Sequence, residues 1–323
     1  MTIPAETRSS VHGVHEARAR TLASSLAVVA GKTRAAAAST LFRAARSALP
    51  DALLLRLLHR RKVGRFPNLA NPSTFNELIL DRCLNPQPQW TALTDKLLVR
   101  DHVKRTIGER HLIPLIAAPD VFTCDVFDSL PDAFVMKANH GCGFVKVVWR
   151  KADTSFEELS RIASRWLDTN FYRHTRERHY EPIERRVFFE KLLLDKDGKI
   201  PPDIKLNIFG NGPDGRIIYT GVITDRFGQP RHDFYDPQWN RMDIVLGDYP
   251  CSDVAAPPLR NWKEIVEIAT RLADGLGYVR VDLYAPDDHI YFGELTFTPG
   301  GGLMRITPDH YDHEWGRLIR QMG

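Results

Sequence analysis

The C-terminal part of the sequence carries charged side chains in an arrangement that suits metal and phosphate chemistry. Residues 278–296 read as two alternating strands around a polar turn, which predicts a β-hairpin. Because residues two apart on a strand share a face, Arg280 lies beside Asp282, and Glu294 lies beside Thr296. A buried carboxylate needs an opposing ion, and Mg²⁺ binds carboxylate and phosphate oxygens together. The pattern predicts a magnesium and phosphate site; the alternative is a solvent-exposed hairpin with an ordinary Arg–Asp pair.

A lysine at the end of another predicted strand is followed by a glycine-rich turn. Lys137 ends the apolar run of residues 134–138, and Gly141 and Gly143 come next. Backbone N–H groups of such a turn approach phosphates closely, and a lysine ammonium can reach them. A GxxxxGK[ST] loop and a GxGxxG turn that opens a helix are both absent, so the common nucleotide-binding loops are excluded.

Apolar periodicity predicts the elements that position these side chains. Helical spacing predicts helices over residues 93–107, 156–170 and 262–275. Ser73 or Thr74 with Glu77 predicts a capping box at the start of another helix. Short apolar or alternating runs predict strands over residues 134–138, 145–149, 187–193, 204–209, 216–224, 278–284 and 290–296. Two strands that return on each other, a meander and the C-terminal hairpin predict an α+β fold with antiparallel sheets.

The composition is that of a folded globular protein. The chain has 323 residues, 43% hydrophobic and 26% charged, which excludes general disorder, collagen-like sequence and a membrane-embedded bundle. The longest early stretch without a charge, residues 21–31, has 11 residues, about half of the ~20 needed to cross a bilayer. Four cysteines without CxxC spacing favour reduced thiols. These features, with an N-terminus unlike a signal peptide, predict a cytoplasmic protein.

Positive charge is concentrated at the N-terminus. Residues 1–62 hold eleven Lys/Arg and three Asp/Glu, a net +8, whereas the whole chain is +4, so the remainder is −4. A composition rich in alanine and leucine predicts helices there. Three interpretations stay open: helices docked on the main body or a partner, a basic surface that contacts anionic lipid head groups, or a cleaved transit segment.

Six short motifs give the sequence a family resemblance. They are Asp95-Lys96, Lys137 with the Gly141 and Gly143 turn, Glu190-Lys191-Leu192, Asp203-Ile-Lys205, Arg280-Val-Asp282 and Glu294-Leu-Thr-Phe-Thr-Pro-Gly300. In this order, over residues 65–310, they resemble the ATP-grasp superfamily and its TupA-like family. The resemblance implies an α+β ATP-grasp fold in which two lobes with antiparallel sheets clasp the nucleotide, preceded by N-terminal helices.

The resemblance implies ATP as a cofactor and a role for each nucleotide-binding motif. The lysines would bind the phosphates, and the glycine turn would close over them as a lid. The backbone of residues 190–192 would read the adenine as a hinge, and Asp203 would reach the ribose. The set implied in this way is Lys96, Lys137, Gly141, Gly143, Glu190, Lys191, Leu192, Asp203 and Lys205.

The resemblance also implies the residues that act on the transferred group. Lys205 and Arg280 would steady the β- and γ-phosphates and the developing charge. Asp282 and Glu294 would hold Mg²⁺. Thr296 stands where many relatives have asparagine, and its hydroxyl can still coordinate the metal directly or through water.

ATP-grasp enzymes mostly join a carboxylate to an amine through an acyl phosphate, with release of ADP. The resemblance therefore implies an ADP-forming carboxylate–amine ligase, which needs cation clamps rather than a protein nucleophile. Arg226 and Arg231 are candidates to clamp the acceptor carboxylate or the acyl phosphate; a solvated loop is the alternative. The association of TupA-like proteins with cell-surface polymers implies a sugar acid, or an amino acid joined to one, in capsule or other polysaccharide synthesis.

Two other functions stay open. One is ATP-grasp phosphoryl transfer to a hydroxyl, which would leave a stable phosphorylated product. The other is a non-catalytic nucleotide-binding module of a membrane-proximal polysaccharide assembly, contacted through residues 1–62. The joint presence of Lys137, Arg280, Asp282 and Glu294 argues against the second.

Three smaller residue sets are interpreted as structural. Cys142 between two glycines has no recognisable orienting acid, which favours a small lid residue over a nucleophile. His310 and His313 lack a distant third metal ligand. The basic and aromatic residues of 172–180 have acidic neighbours, so no nucleic-acid partner is predicted. The predicted partners are a small-molecule or saccharide carboxylate and an amine.

These features divide the chain into four parts. They are a basic helical extension over residues 1–62, a mainly helical region over 63–130, a small lobe over 131–194 and a large lobe over 195–323 that carries the metal-binding hairpin.

Overall fold

The computed structural model describes residues 49–210, 215–287 and 289–321. The chain divides into one unit that ends at Leu54 and a second that runs from Leu55 onward. Most of the predicted basic extension lies outside the described residues, and its last twelve residues form helix α1 (Asp51–Lys62). In the described part of the chain, no helix combines the length and the apolar character needed to cross a bilayer.

Helices and antiparallel strands build the second unit. The further α-helices are α2 (Phe75–Leu84), α3 (Trp90–Thr94), α4 (Val99–Thr106), α5 (Cys124–Ser129), α6 (Phe156–Asp168), α7 (Phe171–Thr175), α8 (Trp262–Leu272) and α9 (His310–Arg320). The strands are β1 (Leu115–Ala117), β2 (Phe134–Ala138), β3 (Val145–Val148), β4 (Val187–Glu190), β5 (Asp203–Phe209), β6 (Ile217–Thr224), β7 (Arg231–Tyr235), β8 (Arg241–Met242), β9 (Val245–Leu246), β10 (Val279–Tyr284), β11 (Tyr291–Thr296) and β12 (Ile306–Thr307). The predicted α+β class with antiparallel sheets is confirmed.

A four-stranded sheet in the order β1-β4-β2-β3 forms the small lobe. Helix α6 is capped by Ser155, whose hydroxyl accepts a hydrogen bond from the Glu158 amide. The helix packs Leu159 against Phe134 and Phe189 of the sheet. Burial of these side chains holds α6 on one face of the sheet and leaves the other face available to line a cleft.

A six-stranded sheet in the order β11-β10-β5-β6-β7-β8 forms the large lobe. Alternation along β5 and β10 turns Leu206 and Val281 to one face, where they pack with Ile265 and Leu272 of helix α8. The opposite face carries polar side chains from the same strands. One sheet therefore supplies both a hydrophobic core and a polar working surface.

Helices α2 and α9 cover one end of that polar face. The indole of Trp315 lies 5.3 Å from the ring of Phe75 and 5.7 Å from that of Phe209, measured between ring centroids. The start of α2 is the predicted capping box, with Thr74 as the N-cap: its hydroxyl accepts the Glu77 amide, and the Glu77 carboxylate accepts the Thr74 amide.

The prediction of one continuous helix over residues 93–107 is wrong. Helix α3 ends at Thr94 and α4 begins at Val99. The break is stabilised by Asp95, whose carboxylate accepts the Leu97 amide at 2.8 Å and the Asn139 side-chain amide at 2.9 Å. The turn between the helices places Lys96 beside the glycine turn of the small lobe, where its ammonium contacts Gly141.

Candidate active site

A cleft lies between the small-lobe and large-lobe sheets. Its space, about 1020 Å³ with the open solvent at its mouth included, is lined by residues of both sheets. Val135 and Phe188 contribute to an apolar wall on the small-lobe side, and Asp203, Asp282 and Glu294 line the large-lobe side. The structure therefore brings predicted nucleotide-binding and metal-binding residues into one space.

Glu190, at the end of β4, joins two cations in the wall of this cleft. Its Oε2 lies 2.7 Å from Lys137 Nζ and its Oε1 lies 3.1 Å from Arg100 Nη1. The Glu190 side chain is 7% exposed, so these charges pair away from bulk water. The carboxylate holds the Lys137 ammonium at the cleft, and the group of three keeps one net positive charge.

Lys96 connects the glycine turn with the C-terminal hairpin. Its Nζ donates to the Gly141 carbonyl at 3.0 Å and lies 3.3 Å from Glu294 Oε2. A Cβ atom on Gly141 would lie 2.6 Å from Phe171 Cδ2, so close packing requires glycine there, and Gly143 adopts a positive φ of 80°. The turn lies beside the cleft; its role as a lid stays a prediction.

Asp282 is the centre of the charged cluster on the large sheet. It pairs across β10 and β11 with Glu294, and across β10 and β5 with Lys205. Its carboxylate accepts Arg280 Nε at 2.6 Å and Lys205 Nζ at 2.5 Å. The sequence-based prediction that Arg280 and Asp282 share a face is confirmed.

Glu294 is ionised and faces the cleft. Burial opposes its ionisation, but the charges of Lys96, Arg280, Lys205 and Arg226 outweigh burial and hold the pKa of this carboxyl well below its ordinary value. Both nearest cations are 3.3 Å away, and one third of the side chain is exposed. Its oxygens are accessible and negatively charged at neutral pH.

The residues of this hairpin fit a magnesium ion that is bound together with phosphates. Asp282 and Glu294 offer carboxylate oxygens, and Thr296 Oγ1 accepts Arg280 Nη2 at 3.0 Å while donating to Glu294 Oε1 at 3.2 Å. Among the described residues, no group of three or more His, Cys, Asp or Glu side chains could hold a metal. Two carboxylates and a hydroxyl suit Mg²⁺ only when a ligand supplies further oxygens.

The hinge predicted at residues 190–192 begins where β4 ends. The strand predicted to reach residue 193 stops at Glu190, and the Lys191 amide that follows it donates to the Pro114 carbonyl at 3.0 Å. The Lys191 amide therefore already has a hydrogen-bond acceptor within the protein. Leu192 is 8% exposed and lines the cleft with Lys191.

Asp203 and the two candidate arginines lie in different surroundings. The Asp203 carboxylate is 2.5 Å from Arg226 Nη1 and 3.5 Å from Lys205 Nζ, and both Asp203 and Arg226 line the cleft. Arg231 instead donates to the Cys251 carbonyl at 2.8 Å. The structure thus brings Arg226, but not Arg231, to the cleft.

Sequence reasoning missed three residues near the site. Arg100 lies four residues after Lys96, a helical spacing that could have grouped the two. Glu177 accepts Thr298 Oγ1 at 2.5 Å beside the turn that precedes Gly300, and no local pattern signals this contact. His232 lies two residues before Phe234 on β7, so the two side chains share a face, but this spacing does not show what that face packs against.

Comparison with solved structures finds distant similarities. A D-alanine–D-alanine ligase from Bacillus anthracis is 16% identical with a TM-score of 0.38, over 72% of this chain and 67% of that one. A phosphoribosylamine–glycine ligase from Thermotoga maritima is 13% identical with a TM-score of 0.37, over 64% and 49%. An N5-carboxyaminoimidazole ribonucleotide synthetase from Thermus thermophilus is 13% identical with a TM-score of 0.36, over 64% and 45%. The chain spans about half to two thirds of these proteins, and such low scores carry no argument about substrate or mechanism.

Comparison of the sequence is more informative. No curated protein sequence is significantly similar to this chain. A family model described as TupA-like ATP-grasp matches residues 77–320, which is 244 of the 323 residues. The matched region contains every predicted site residue from Lys96 to Thr296. The predicted resemblance and the ATP-grasp fold are confirmed, and the chain belongs to the TupA-like ATP-grasp family.

Proposed function

We propose that this chain is an ATP-dependent ligase that joins a carboxylate to an amine through an acyl phosphate. The observation that carries the proposal is a set of cations around two hairpin carboxylates at the edge of one cleft. Lys205 and Arg280 contact Asp282, and Lys96 and Arg280 lie near Glu294. Preorganised charges of this kind stabilise a transferring phosphoryl group, which needs positioning more than covalent help from the protein.

The reaction has two bond exchanges. A carboxylate oxygen of the acid attacks the γ-phosphorus of ATP, and the bond to the β–γ bridging oxygen breaks, so ADP leaves. The amine nitrogen then attacks the acyl carbon, phosphate leaves, and the nitrogen loses a proton. Lys205 and Arg280 bind the group in transfer, and Lys137, held by Glu190, binds the ATP phosphates. Asp282, Glu294 and Thr296 would hold Mg²⁺, which neutralises phosphate charge when it is bound.

The rest of the cleft suits the nucleoside. We place the base against the apolar small-lobe wall beside Leu192 and the ribose near Asp203. The turn from Gly141 to Gly143 covers the phosphates. Arg226, which also lines the cleft, steadies the charge of the acceptor carboxylate or the acyl phosphate. Because the Lys191 amide donates to the Pro114 carbonyl, the remaining backbone groups of residues 190–192 form the hydrogen bonds to the base.

The proposed substrate is a sugar acid, or an amino acid joined to one, in cell-surface polysaccharide synthesis. This part of the proposal is supported by membership of the TupA-like family alone. It places the reaction in the cytoplasm, where ATP is available, with a basic N-terminal segment of residues 1–62 contacting the membrane or the assembly. The partners are a carboxylate and an amine, without nucleic acid.

A thermal-shift experiment tests the nucleotide and metal assignment. We expect ATP with Mg²⁺ to raise the melting temperature, because a ligand that binds only the folded state stabilises it. At a ligand concentration of 100 times the Kd, the free energy of unfolding rises by about 2.7 kcal/mol. Glu294→Ala should remove the magnesium-dependent part of this shift, whereas Glu158→Ala, at the surface pair with Lys146, should keep it. Mg²⁺ without ATP should have no effect. A full magnesium-dependent shift in Glu294→Ala would refute the metal assignment.

An activity experiment tests the reaction class. The protein is incubated with ATP, Mg²⁺ and a panel of uronic acids and amino acids, and phosphate release is followed together with product mass. We expect equal amounts of ADP, phosphate and an amide. A stable phosphorylated product would instead identify a phosphotransferase, and ATP binding without any turnover would favour a non-catalytic module.

A further inference from the structure

A second cavity lies along the same polar face of the large sheet, beyond the hairpin cations. It encloses about 390 Å³ including its mouth. Asp203 on β5 lines the cleft, whereas Lys205, two residues further along the strand, lines the second cavity. The same step on β10 leads from Asp282 in the cleft to Arg280 in the cavity. Because residues two apart share a face, the two spaces are neighbours along one surface.

His232 forms part of the wall of this cavity with an unusual deficit of hydrogen bonds. The residue is 5% exposed, and neither Nδ1 nor Nε2 has a partner among the described residues. A buried polar atom without a partner costs about 1–3 kcal/mol, so most such atoms in folded proteins are satisfied. An imidazole that lines a cavity with both nitrogens unpaired indicates that a ligand in the cavity supplies the missing hydrogen bonds.

The fold makes room for this imidazole. Gly221 on β6 pairs with Lys205 on β5, and a Cβ atom on Gly221 would lie 2.5 Å from His232 Nε2. The ring also packs against Phe234 and Tyr249, at centroid distances of 4.4 and 6.1 Å. Glycine at 221 thus lets the imidazole occupy the space above the strand next to Lys205, and the aromatic neighbours hold its plane.

The charges of the cavity select the kind of ligand. Among the described residues that line it, Lys205 and Arg280 are cationic and none is acidic. Lys205 and Arg280 belong to a connected cluster with Lys96, Arg226 and the carboxylates of Asp203, Asp282 and Glu294, and four cations against three carboxylates leave one net positive charge. A carboxylate is attracted to this charge, whereas an ammonium meets no carboxylate in the cavity wall. Burial, with the charges of Lys205 and Arg280, lowers the pKa of His232 to about 3. The imidazole is therefore neutral at pH 7, with one nitrogen that donates and one that accepts, which is the complement of a hydroxyl group.

We propose that this cavity binds the acid substrate, with its carboxylate towards Lys205 and Arg280 and a hydroxyl group hydrogen-bonded to His232. The ligand class is a small hydroxy acid without an ammonium group. Phe75, Phe234 and Trp315 supply apolar walls for its carbon skeleton. The inference rests on the proposed function, because it places the acid where its carboxylate can meet the γ-phosphate at the cleft.

A hydroxamate assay tests this assignment without knowledge of the amine. Hydroxylamine attacks the acyl carbon of an acyl phosphate, its nitrogen loses a proton, and phosphate leaves. The probes are D-glucuronate and the pair L-malate and L-aspartate, which differ at one carbon by a hydroxyl or an ammonium group. Each is incubated with ATP, Mg²⁺ and hydroxylamine, and hydroxamate formation is measured against acid concentration. We expect turnover of D-glucuronate, and turnover of L-malate but not of L-aspartate.

Variants of the full chain separate binding of the acid from folding. His232→Phe keeps an aromatic side chain and removes both nitrogens; we expect the KM for the acid to rise about tenfold while the KM for ATP changes less than about twofold. His232→Gln, which restores one hydrogen-bonding group, should recover part of the loss. Gly221→Ala should resemble His232→Phe because its Cβ displaces the ring. Gly215→Ala, whose Cβ meets nothing within 4 Å, is the matched control and should behave as the parent.

Each outcome decides the matter. An unchanged acid KM in His232→Phe, or faster turnover of L-aspartate than of L-malate, overturns the assignment. Stabilisation by ATP and Mg²⁺ without hydroxamate from either hydroxy acid also overturns it and leaves the nucleotide proposal intact. Absence of any ATP effect on the parent protein overturns the proposed function itself. Phenylalanine is larger than histidine and the ring lies close to Gly221, so His232→Phe is also melted with and without ATP and Mg²⁺. A retained ATP-dependent shift shows that the variant is folded, so a raised KM for the acid is then due to the lost hydrogen bonds.

Discussion

Glu177 provides a stringent test of the electrostatics between the lobes. The residue is 7% exposed, and its carboxylate accepts Thr298 Oγ1 at 2.5 Å. Burial raises the pKa of Glu177 to about 7, against hydrogen bonds from Thr298 and Thr175 that favour the charged form, and the nearby charge of Glu294 raises it further. We expect Glu177→Gln to become progressively more stable than the parent as the pH rises.

The sign and the magnitude follow from linkage. The ordinary pKa of 4.5 applies in the unfolded chain and about 7 in the folded protein, so the folded state holds an extra proton between these values. The stability that this proton contributes is complete below pH 4.5 and is lost as the pH rises through 7. At about 1.4 kcal/mol per pKa unit, the full loss is roughly 3 kcal/mol, of which roughly 2 kcal/mol falls between pH 5 and pH 8. Glutamine keeps the acceptor for Thr298 and does not titrate.

Urea unfolding of the two proteins at pH 5 and pH 8 measures this effect. The free energy of unfolding of Glu177→Gln minus that of the parent should grow by roughly 2 kcal/mol, or about 5 °C in melting temperature for a domain of this size. Glu158→Gln, at a carboxylate 38% exposed, serves as the control and should show no such gain. A difference that is constant with pH, or that favours the parent at pH 8, would refute the reasoning.

Two further predictions concern single carboxylates with several partners. Glu190→Gln weakens the contact that holds Lys137 in the cleft and should raise the Kd for ATP about tenfold in calorimetry, whereas Glu158→Gln should not; equal affinities would contradict the role of Glu190. Glu77→Ala removes the acceptor of the Thr74 amide and of two other backbone amides and should lower the free energy of unfolding by about 2 kcal/mol in urea titration. A loss below about 0.5 kcal/mol would mean that water replaces these contacts.

Local sequence patterns predicted the elements and the faces that carry the chemistry. The alternation of residues 278–284 is sufficient to place Arg280 and Asp282 together, because side chains of a strand alternate whatever the strand packs against. The capping box of Thr74 and Glu77 is likewise a property of four consecutive residues. Both predictions are confirmed for this reason.

Structural features that depend on partners distant in the sequence were predicted less well. The apolar spacing of residues 93–107 is compatible with one helix, but the chain breaks at Asp95 because its carboxylate binds Asn139, 44 residues away. Glu190 pairs with Lys137 across 53 residues and with Arg100 across 90. No local periodicity contains these contacts, since they exist only once β4 and β2 are paired and α4 packs beside them.

The amino-acid sequence by itself determined the family, the antiparallel strands and the residues of the charged hairpin, because each of these is encoded by neighbouring residues in a recognisable order. The tertiary structure alone decided that His232 lies over Gly221 beside Lys205, with both ring nitrogens unpaired among the described residues. That arrangement arises from the register of three strands, and register is chosen by the burial of whole sheet faces rather than by any one segment.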